Sequence, residues 1–421
     1  MSAGHWDLRD AEHYLLGLEL FGMRFGLNRM RRLMTTLDQP ERRYDTIHVV
    51  GTNGKSSTTR MIAALLQSHE LHVGAYLSPH LVSFAERIRV DDRDVEPRAF
   101  ARAVERAAHA AALVDRTQPE DDRVTQFEAL TAAAFSELAA RQVDVAVIEA
   151  GLGGRWDATN VVPSQVQVLT SVGLEHTRWL GPTVRDIARE KLAVVRDDGM
   201  LVVGADLHPE ALEEAHTAAA RHGARLVQAP GDPGVELAAP GAFQRRNFAL
   251  ARAAAQAYLE AIGRRLEPER VRAVAAAITV PGRLQAVAHE PLTLVDGAHN
   301  AEGVAALAES LPQLTAGRRL VAVVSILDDK DAAGMLRALL PHAEQIVFTR
   351  SRNPRALPPA TLASLCAQLE GPPSELEADP RRALARAREL AGAGGVVLAT
   401  GSIYLVADLL TPAGERSASM L

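Results

Sequence analysis

Ile47-His48-Val49-Val50-Gly51-Thr52-Asn53-Gly54-Lys55-Ser56-Ser57-Thr58 is a short apolar run that breaks at a glycine-flanked turn and resumes on a lysine. Four residues of strand character lead in, and an amphipathic helix is predicted from about Ser56 to His69. Glycines at 51 and 54 let the backbone bend tightly and turn its N–H groups toward one point. The helix N-terminus adds partial positive charge there, so the corner suits a polyphosphate. Lys55 can reach terminal phosphates, and a hydroxyl just after it can ligate magnesium. The usual spacing, Gly-x-x-x-x-Gly-Lys, requires glycine at 49, where this chain carries Val49. A strand–turn–helix corner with a solvated lysine explains the run equally well, so alone it leaves the two readings level.

The rest of the chain bounds the answer. Its 421 residues exceed one ordinary core, and a large and a small domain, or two domains, are expected. Hydrophobic residues at 47% and charged residues at 23% are those of a globular protein. A net charge of −6 gives no general attraction to nucleic acid or to an anionic membrane, and neither partner is expected. Arg31-Arg32 and Arg42-Arg43 leave local basic surface open near the glycine turn. Cys366 is the only cysteine, which excludes a disulfide framework or thiolate metal cluster and fits a cytoplasmic location. Residues 1–10 are polar rather than a signal peptide, and no apolar stretch approaches the length of a membrane span.

Short β-branched runs alternate with helical patterns, which predicts an α/β fold with parallel sheets built from βαβ units. Strands are expected at 46–50, 73–77, 143–149, 165–170, 200–203 and 225–228, with helices near 97–116, 125–141, 184–196 and 209–222 between them. Two consecutive helices, 247–262 and 268–278, break the alternation. A second series of strands is expected at 292–296, 320–325, 345–348 and 396–399. The boundary is placed between about Gly282 and Pro291, giving a large P-loop-type domain at 1–285 and a smaller Rossmann-like domain at 290–421.

Several residues gather where chemistry is expected. Val145 to Ile148 form a buried strand that ends in the carboxylate of Glu149, and ligands of open α/β sheets bind beyond the carboxyl ends of strands. Glu149 could bring a magnesium ion to a phosphate; a strand-end glutamate facing solvent is the plainer alternative. His176, in Glu175-His176-Thr177, and Ser78 leave the same sheet edge. Lys191 reads as a solvated helix lysine. Asp296, in Asp296-Gly297-Ala298-His299-Asn300, could meet ribose hydroxyls or cap a helix. Arg283 could contact phosphate or simply be solvated.

Together these runs resemble the folylpolyglutamate synthase and dihydrofolate synthase family of the Mur ligase superfamily. The motifs are GTNGKSST at 51–58, SPHLVSFAERIRV at 78–90, TQFEALTA at 125–132, EAGLGGRWDATNVV at 149–162, EHTRWLG at 175–181, IAREK at 187–191, PGRLQ at 281–285, DGAHN at 296–300 and GSIYLVAD at 401–408. They run through nearly the whole chain in family order. The resemblance implies that Asn53, Gly54, Lys55 and Ser56 hold the phosphates of ATP, with Ser57 a further hydroxyl. Ser78, Glu149 and His176 match magnesium ligands. Lys191 matches a lysine that the family carbamylates, and with Lys55 and His176 it makes up the catalytic set. Asn247, Arg283 and Asp296 match nucleotide-binding positions. Arg24, Phe25, Gly26 and Leu27, then Thr125, Gln126, Phe127 and Glu128, then Gly154, Arg155 and Trp156 with Asp157 adjoining, match the pterin-side pocket. His299 lies in the second-domain motif. Two positions depart from the pattern. Ser56 replaces a glycine, which leaves the metal's hydroxyl open between 56 and 57, and Glu175 stands where the family has aspartate.

The implied activity is that of an ATP- and Mg2+-dependent ligase, expected as a monomer, that adds L-glutamate to a folate or dihydropteroate carboxylate through an acyl phosphate. Another Mur-type amino-acid ligase is the nearest alternative, against which TQFEALTA and the lack of a UDP-binding N-terminal domain argue. A non-catalytic P-loop protein would leave His176, Lys191 and DGAHN without a purpose.

Overall fold

The computed structural model describes residues 5–19, 26–119 and 122–412. The chain divides into two compact units. The first holds residues 1–80, 84–236 and 246–278, and the second 81–83, 237–245 and 279–421.

The first unit is built on an eight-stranded sheet. Its strands are β1 (Asp45–Val50), β2 (Val73–Tyr76), β3 (Ile88–Val90), β4 (Arg93–Asp94), β5 (Val145–Glu149), β6 (Val166–Leu169), β7 (Met200–Val203) and β8 (Arg225–Gln228). Their order is β4-β3-β2-β5-β1-β6-β7-β8. All neighbours run parallel except in the small β2-β3-β4 edge, which is antiparallel. β1 lies between β5 and β6, with Val49 opposite Glu149 on one side and Val168 on the other. The central strands are apolar almost without interruption because both faces are covered; every residue of β5 is buried. The Pro97–Asp115 and Gln126–Ala140 helices pack against each other. Their alanines, among them Ala103, Ala107, Ala132 and Ala133, are buried at the close approach.

The second unit carries β9 (Gln285–His289), β10 (Leu292–Val295), β11 (Leu320–Val324), β12 (Gln345–Phe348), β13 (Ser374–Leu376) and β14 (Val396–Thr400). They form a six-stranded sheet in the order β13-β12-β11-β14-β10-β9. Only β9 runs antiparallel. Helices cover this sheet, and apolar clusters centred on Val324, Phe348 and Leu398 and on Val323, Val397 and Leu405 make its core. The α/β class and the two-sheet plan agree with the sequence reading.

Differences concentrate at edges. Phe84–Arg87 forms a 3-10 turn that runs into β3, where no strand was expected. β9 occupies part of the 282–291 stretch marked as a boundary. It is a largely exposed edge strand, so it shows no apolar run to read. The helix expected to reach 196 ends at Leu192, and the one expected from 247 begins at Ala242.

Leu138 shows how tightly the first unit is filled. A methyl on Gly74 of β2 would lie 2.7 Å from its Cδ2, so the leucine takes the space that the glycine leaves. Leu138→Ala is expected to cost about 2–5 kcal/mol. Leu113→Ala, at a site 52% exposed, should stay within about 0.5 kcal/mol. Urea unfolding followed by tryptophan fluorescence checks this, and similar losses in the two variants would contradict the packing account.

Candidate active site

The turn after β1 is shaped by two glycines and clamped by β6. Gly54 has φ of 86° and heads the Lys55–Ser68 helix with no side chain capping it. A Cβ there would sit 2.5 Å from Asn247 Oδ1, and one on Gly51 would collide with Thr170 Oγ1. Thr170 Oγ1 donates to the Asn53 carbonyl at 2.7 Å and Ser171 Oγ donates to it at 3.1 Å. Ser171 Oγ also accepts from Asn53 N at 2.9 Å, and the Ser171 carbonyl accepts from Thr52 N at 2.8 Å. The turn is therefore rigid before any ligand arrives, with an uncapped helix end behind it. Sequence reasoning passed over Thr170 and Ser171, whose only signal was a pair of hydroxyls at the carboxyl end of the strand beside β1.

Glu149 closes β5 with only 1% of its surface exposed. Its Oε1 accepts from Ser56 Oγ at 2.8 Å and its Oε2 from Ser78 N at 3.0 Å. Ser56 Oγ also lies 3.4 Å from the Ser78 carbonyl. The structure thus brings Ser56, Ser78 and Glu149 together, whereas Ser57 is 2% exposed. No group of three His, Cys, Asp or Glu side chains able to hold a metal occurs among the described residues. The donors present are hard oxygens on one carboxylate and one or two hydroxyls. That set fits magnesium, which binds through few protein ligands and completes its shell with water and phosphate.

Two lysines converge on the Gly51 carbonyl. Lys55 Nζ donates to it at 3.1 Å and to the Thr52 carbonyl at 3.2 Å. Lys191 Nζ, at the last turn of the Val184–Leu192 helix, donates to it at 2.7 Å. Lys191 is only 3% exposed. Burial, followed by repulsion from Lys55, lowers its ammonium to about 7, against the attraction of Glu175 and Asp157. The expectation of a solvated helix lysine is corrected here: the Val184–Leu192 helix turns its C-terminal end onto the glycine turn. A carbonyl is a weak partner for a buried cation, so much of the desolvation cost stands.

His176 is exposed, in a left-handed conformation with φ of 53°, and heads the short Thr177–Leu180 helix. Its Nε2 lies 3.9 Å from Glu175 Oε1.

Of the residues matched to a pterin-side pocket, Phe127 lies against the 151–157 loop. A Cβ on Gly151 would meet the Phe127 ring at 2.6 Å, and one on Gly154 would meet the Lys191 carbonyl at 2.5 Å, so this loop packs between Phe127 and the Lys191 helix. Arg155 ties to the same helix, donating from N to the Glu190 carbonyl at 2.9 Å and from Nε to Glu190 Oε1 at 2.8 Å. Trp156 is 46% exposed. The Asp157 carboxylate is consumed locally, accepting from Leu152 N at 2.8 Å, Thr159 N at 3.0 Å and Thr159 Oγ1 at 2.5 Å. Thr125 and Glu128 form a capping box at the start of the Gln126–Ala140 helix. The buried Arg29, which sequence reasoning passed over, holds Glu128 from Nε at 3.0 and 3.1 Å and also pairs with Asp122. Gln126 Nε2 donates to the Leu15 carbonyl at 2.8 Å. Leu27 precedes the Asn28–Thr36 helix, and Gly26 has φ of 136°. Arg24 and Phe25 lie outside the described residues.

In the second unit, Asp296 shapes the turn after β10. It accepts from Leu284 N at 2.9 Å and Ala298 N at 2.8 Å, and burial pushes its carboxyl up while Arg283 opposes the shift. A Cβ on Gly297 would collide with Arg283 Nη1, so the guanidinium lies close against that turn. His299 Nδ1 lies 2.9 Å from the Gly297 carbonyl, and Asn300 caps the Ala301–Ala308 helix. Asn247 lies in the first unit, on the Ala242–Ala261 helix.

These two sheets and their turns have counterparts. The Mur ligase middle domain matches residues 49–228, and the Mur ligase glutamate ligase domain matches residues 282–403. The architecture is that of a Mur-type ligase. A dihydrofolate synthase/folylpolyglutamate synthase of Bacillus subtilis is 34% identical over 95% of this chain and 98% of its own. The solved structure of Mycobacterium tuberculosis folylpolyglutamate synthase complexed with ADP is 32% identical, with a TM-score of 0.89 over 97% of this chain and 99% of that one. The Yersinia pestis bifunctional folylpolyglutamate synthase/dihydrofolate synthase, solved with AMPPNP and a manganese ion, gives 29% and 0.83 over 96% and 97%. The chain belongs to the folylpolyglutamate synthase/dihydrofolate synthase family.

The buried lysine makes a pH prediction. Its pKa falls from the ordinary 10.5 to about 7 on folding. Between those values the unfolded chain keeps a proton that the folded chain releases, so stability rises with pH in that window; below it the burial penalty stands in full. Lys191→Met is therefore expected to stabilise the protein most at about pH 6, with the advantage shrinking toward about pH 9. Urea unfolding in bicarbonate-free buffer measures it, and a difference independent of pH would contradict the assignment.

Proposed function

We propose that this protein is an ATP-dependent ligase that joins the amine of L-glutamate to the carboxylate of a folate, of dihydropteroate, or of both. The observation that carries the reading is the buried Glu149 carboxylate, held by Ser56 and Ser78 beside a rigid glycine turn with Lys55 and Lys191. The relatives' names supply the substrate class, and the ADP and AMPPNP bound by similar proteins support the nucleotide.

In the first step a substrate carboxylate oxygen attacks the γ-phosphorus of ATP, the bond to the β-phosphate oxygen breaks, and ADP leaves with the electron pair. The amine nitrogen of glutamate then attacks the acyl carbon, phosphate departs, and the nitrogen loses a proton. Asn53, Gly54, Lys55 and Ser56 hold the phosphates, with Ser57 behind them. Lys55 neutralises charge as it builds on the transferring phosphoryl group. Asn247, Arg283 and Asp296 contact the nucleotide. Ser78, Glu149 and His176 would hold magnesium, whose charge, when bound, offsets that of the phosphates. Gly26, Leu27, Thr125, Gln126, Phe127, Glu128 and Gly154 to Asp157, with Arg24 and Phe25, take the pterin side. Phe127 supplies a flat apolar face, and Glu128, pinned by Arg29, fixes the helix that presents it.

Lys191 is the site of carbamylation. Its ammonium, lowered to about 7 by burial and Lys55, gives up one proton to become the amine, and the amine bonds carbon dioxide with release of a second, so that a cation becomes an anion. A location in the cytoplasm, as a monomer with no nucleic-acid partner, completes the reading. Its support is an acidic net charge, a single buried cysteine and the absence, among the described residues, of a helix long and apolar enough to cross a membrane.

The deciding experiment is ADP release by the purified protein, which is expected only when a folate or dihydropteroate and L-glutamate are both present. Lys55→Ala should abolish ligation while leaving the thermal midpoint near that of the parent, since Lys55 is half-buried and its removal opens no core cavity; near-normal turnover at saturating ATP would refute its role. Glu149→Gln keeps the shape and loses the charge, so a raised magnesium requirement, partly met by high metal, is expected. An unchanged magnesium titration would remove Glu149 from the ligand set. Lys191→Ala should be nearly inactive and recover some turnover with added short carboxylates. Loss without any rescue, together with an unmodified ammonium in a bicarbonate-grown crystal of active protein, would end the carbamate assignment.

A further inference from the structure

His48 sits within β1, paired in register with Ile148 of β5 and Gln167 of β6, and none of its surface is exposed. A valine or isoleucine would fill this place in a parallel sheet without burying polar nitrogens. Burial and then Arg196 push its pKa down to about 3, so the ring is neutral and carries one hydrogen. Nε2 lies 2.8 Å from Thr159 Oγ1, and Nδ1 has no hydrogen-bond partner among the described residues.

The direction of the Thr159 bond follows from a count of hydrogens. Asp157 accepts from Leu152 N on Oδ2, from Thr159 N and Thr159 Oγ1 on Oδ1, and from Gly151 N. Burial pushes its carboxyl up, and these four bonds oppose the shift. Four donors on two oxygens use the lone pairs of an ionised carboxylate. The Thr159 hydroxyl has a single hydrogen and gives it to Asp157, so toward His48 it accepts. His48 therefore holds its hydrogen on Nε2 and donates it to Thr159.

The result is a chain of bonds from the sheet to the loop. It runs from His48 Nε2 to Thr159 Oγ1, on to Asp157, and from the Asp157 oxygens to the backbone at both ends of the 151–157 loop. Asp157 also heads the 3-10 turn Ala158–Val161. Other ties run to the Lys191 helix and the segment after it: Arg155 reaches Glu190, and Arg196 reaches the Asn160 and Val162 carbonyls. His48 adds a tie to β1, the strand that also leads into the glycine turn.

We propose that His48 is a positioning residue for the folate or dihydropteroate: through Thr159 and Asp157 it sets the 151–157 loop, and with it Arg155 and Trp156, without touching the substrate. This role rests on the function proposed above, which puts that loop on the pterin side.

Steady-state ADP release by the full chain tests it. His48→Leu fills the space and removes the donor, and is expected to raise the KM for the folate or dihydropteroate about tenfold while the KM for ATP stays within about twofold. A variant that only lost folded protein would lower kcat and leave both KM values alone. His48→Gln, whose amide nitrogen can take the place of Nε2, is expected to return the KM to within about threefold of the parent. His48→Asn, whose amide takes the place of Nδ1, is expected not to. A parental KM for the folate in His48→Leu, an equal rise in both KM values, or rescue by Asn as good as by Gln overturns the proposal. The parent protein supplies a second measurement, the nitrogen-15 spectrum of its histidine rings at neutral pH. His48 is expected to carry its hydrogen on Nε2, with a nuclear Overhauser contact to Thr159, and a hydrogen on Nδ1 overturns the proposal whether or not the variants fold. A parent that releases no ADP with either pteridine substrate overturns the function proposed above, and this role falls with it; a failure confined to the His48 variants of an active parent overturns this role alone.

Discussion

The Gly51 carbonyl receives two ammonium groups, one from Lys55 at the start of the turn's helix and one from Lys191 at the end of a helix far along the chain. A neutral oxygen cannot balance two cations, and the consequence is visible in Lys191, which is pushed down to about 7. Much of the first unit holds the elements around this carbonyl in place. β6 clamps the turn through Thr170 and Ser171, β5 brings a buried carboxylate to Ser56, and the 151–157 loop wedges against the Lys191 helix. In the function proposed above, carbamylation of Lys191 removes this imbalance and leaves Lys55 as the cation that meets an incoming polyphosphate.

The same economy of anchoring runs through the residues proposed for the pterin side. Asp157 and Glu128 look in the sequence like groups offered to a ligand, and in the structure both carboxylates are occupied within the chain. Their work is to hold backbone: Asp157 fixes the 151–157 loop, and Glu128 with Arg29 fixes the start of a helix. Phe127 and Trp156 are the side chains that remain to present surface, one packed on Gly151 and the other exposed.

How much of this was legible varied with physics. The central strands were read within a residue or two because burial on both faces writes an unbroken apolar run, as in β5. β4, β9 and β13 were not, because these edge strands are short or exposed and carry no such run, and β3, paired between β4 and β2, is only Ile88–Val90. The glycine turn was recognisable even with Val49 in place of a glycine, since its strand, turn and lysine kept their spacing. The burial of Lys191 was not, because its own helix reads as amphipathic and polar; the partner that buries it, Gly51, is 140 residues away. The β6 hydroxyls were hidden for the same reason: Thr170 and Ser171 gain meaning only once β6 is known to lie beside β1.

Everything proposed for the first unit depends on the turn, Lys55 and the Ser56–Glu149 pair forming the seat of the ATP phosphates. A crystal structure of this protein with a non-hydrolysable ATP analogue and magnesium tests that most directly. The expected result has the terminal phosphate against the Gly54–Lys55 backbone, Lys55 drawn off the Gly51 and Thr52 carbonyls, and the metal in contact with Ser56 and Glu149. Phosphates bound elsewhere, with Lys55 still on those carbonyls and Ser56 still on Glu149, would contradict it.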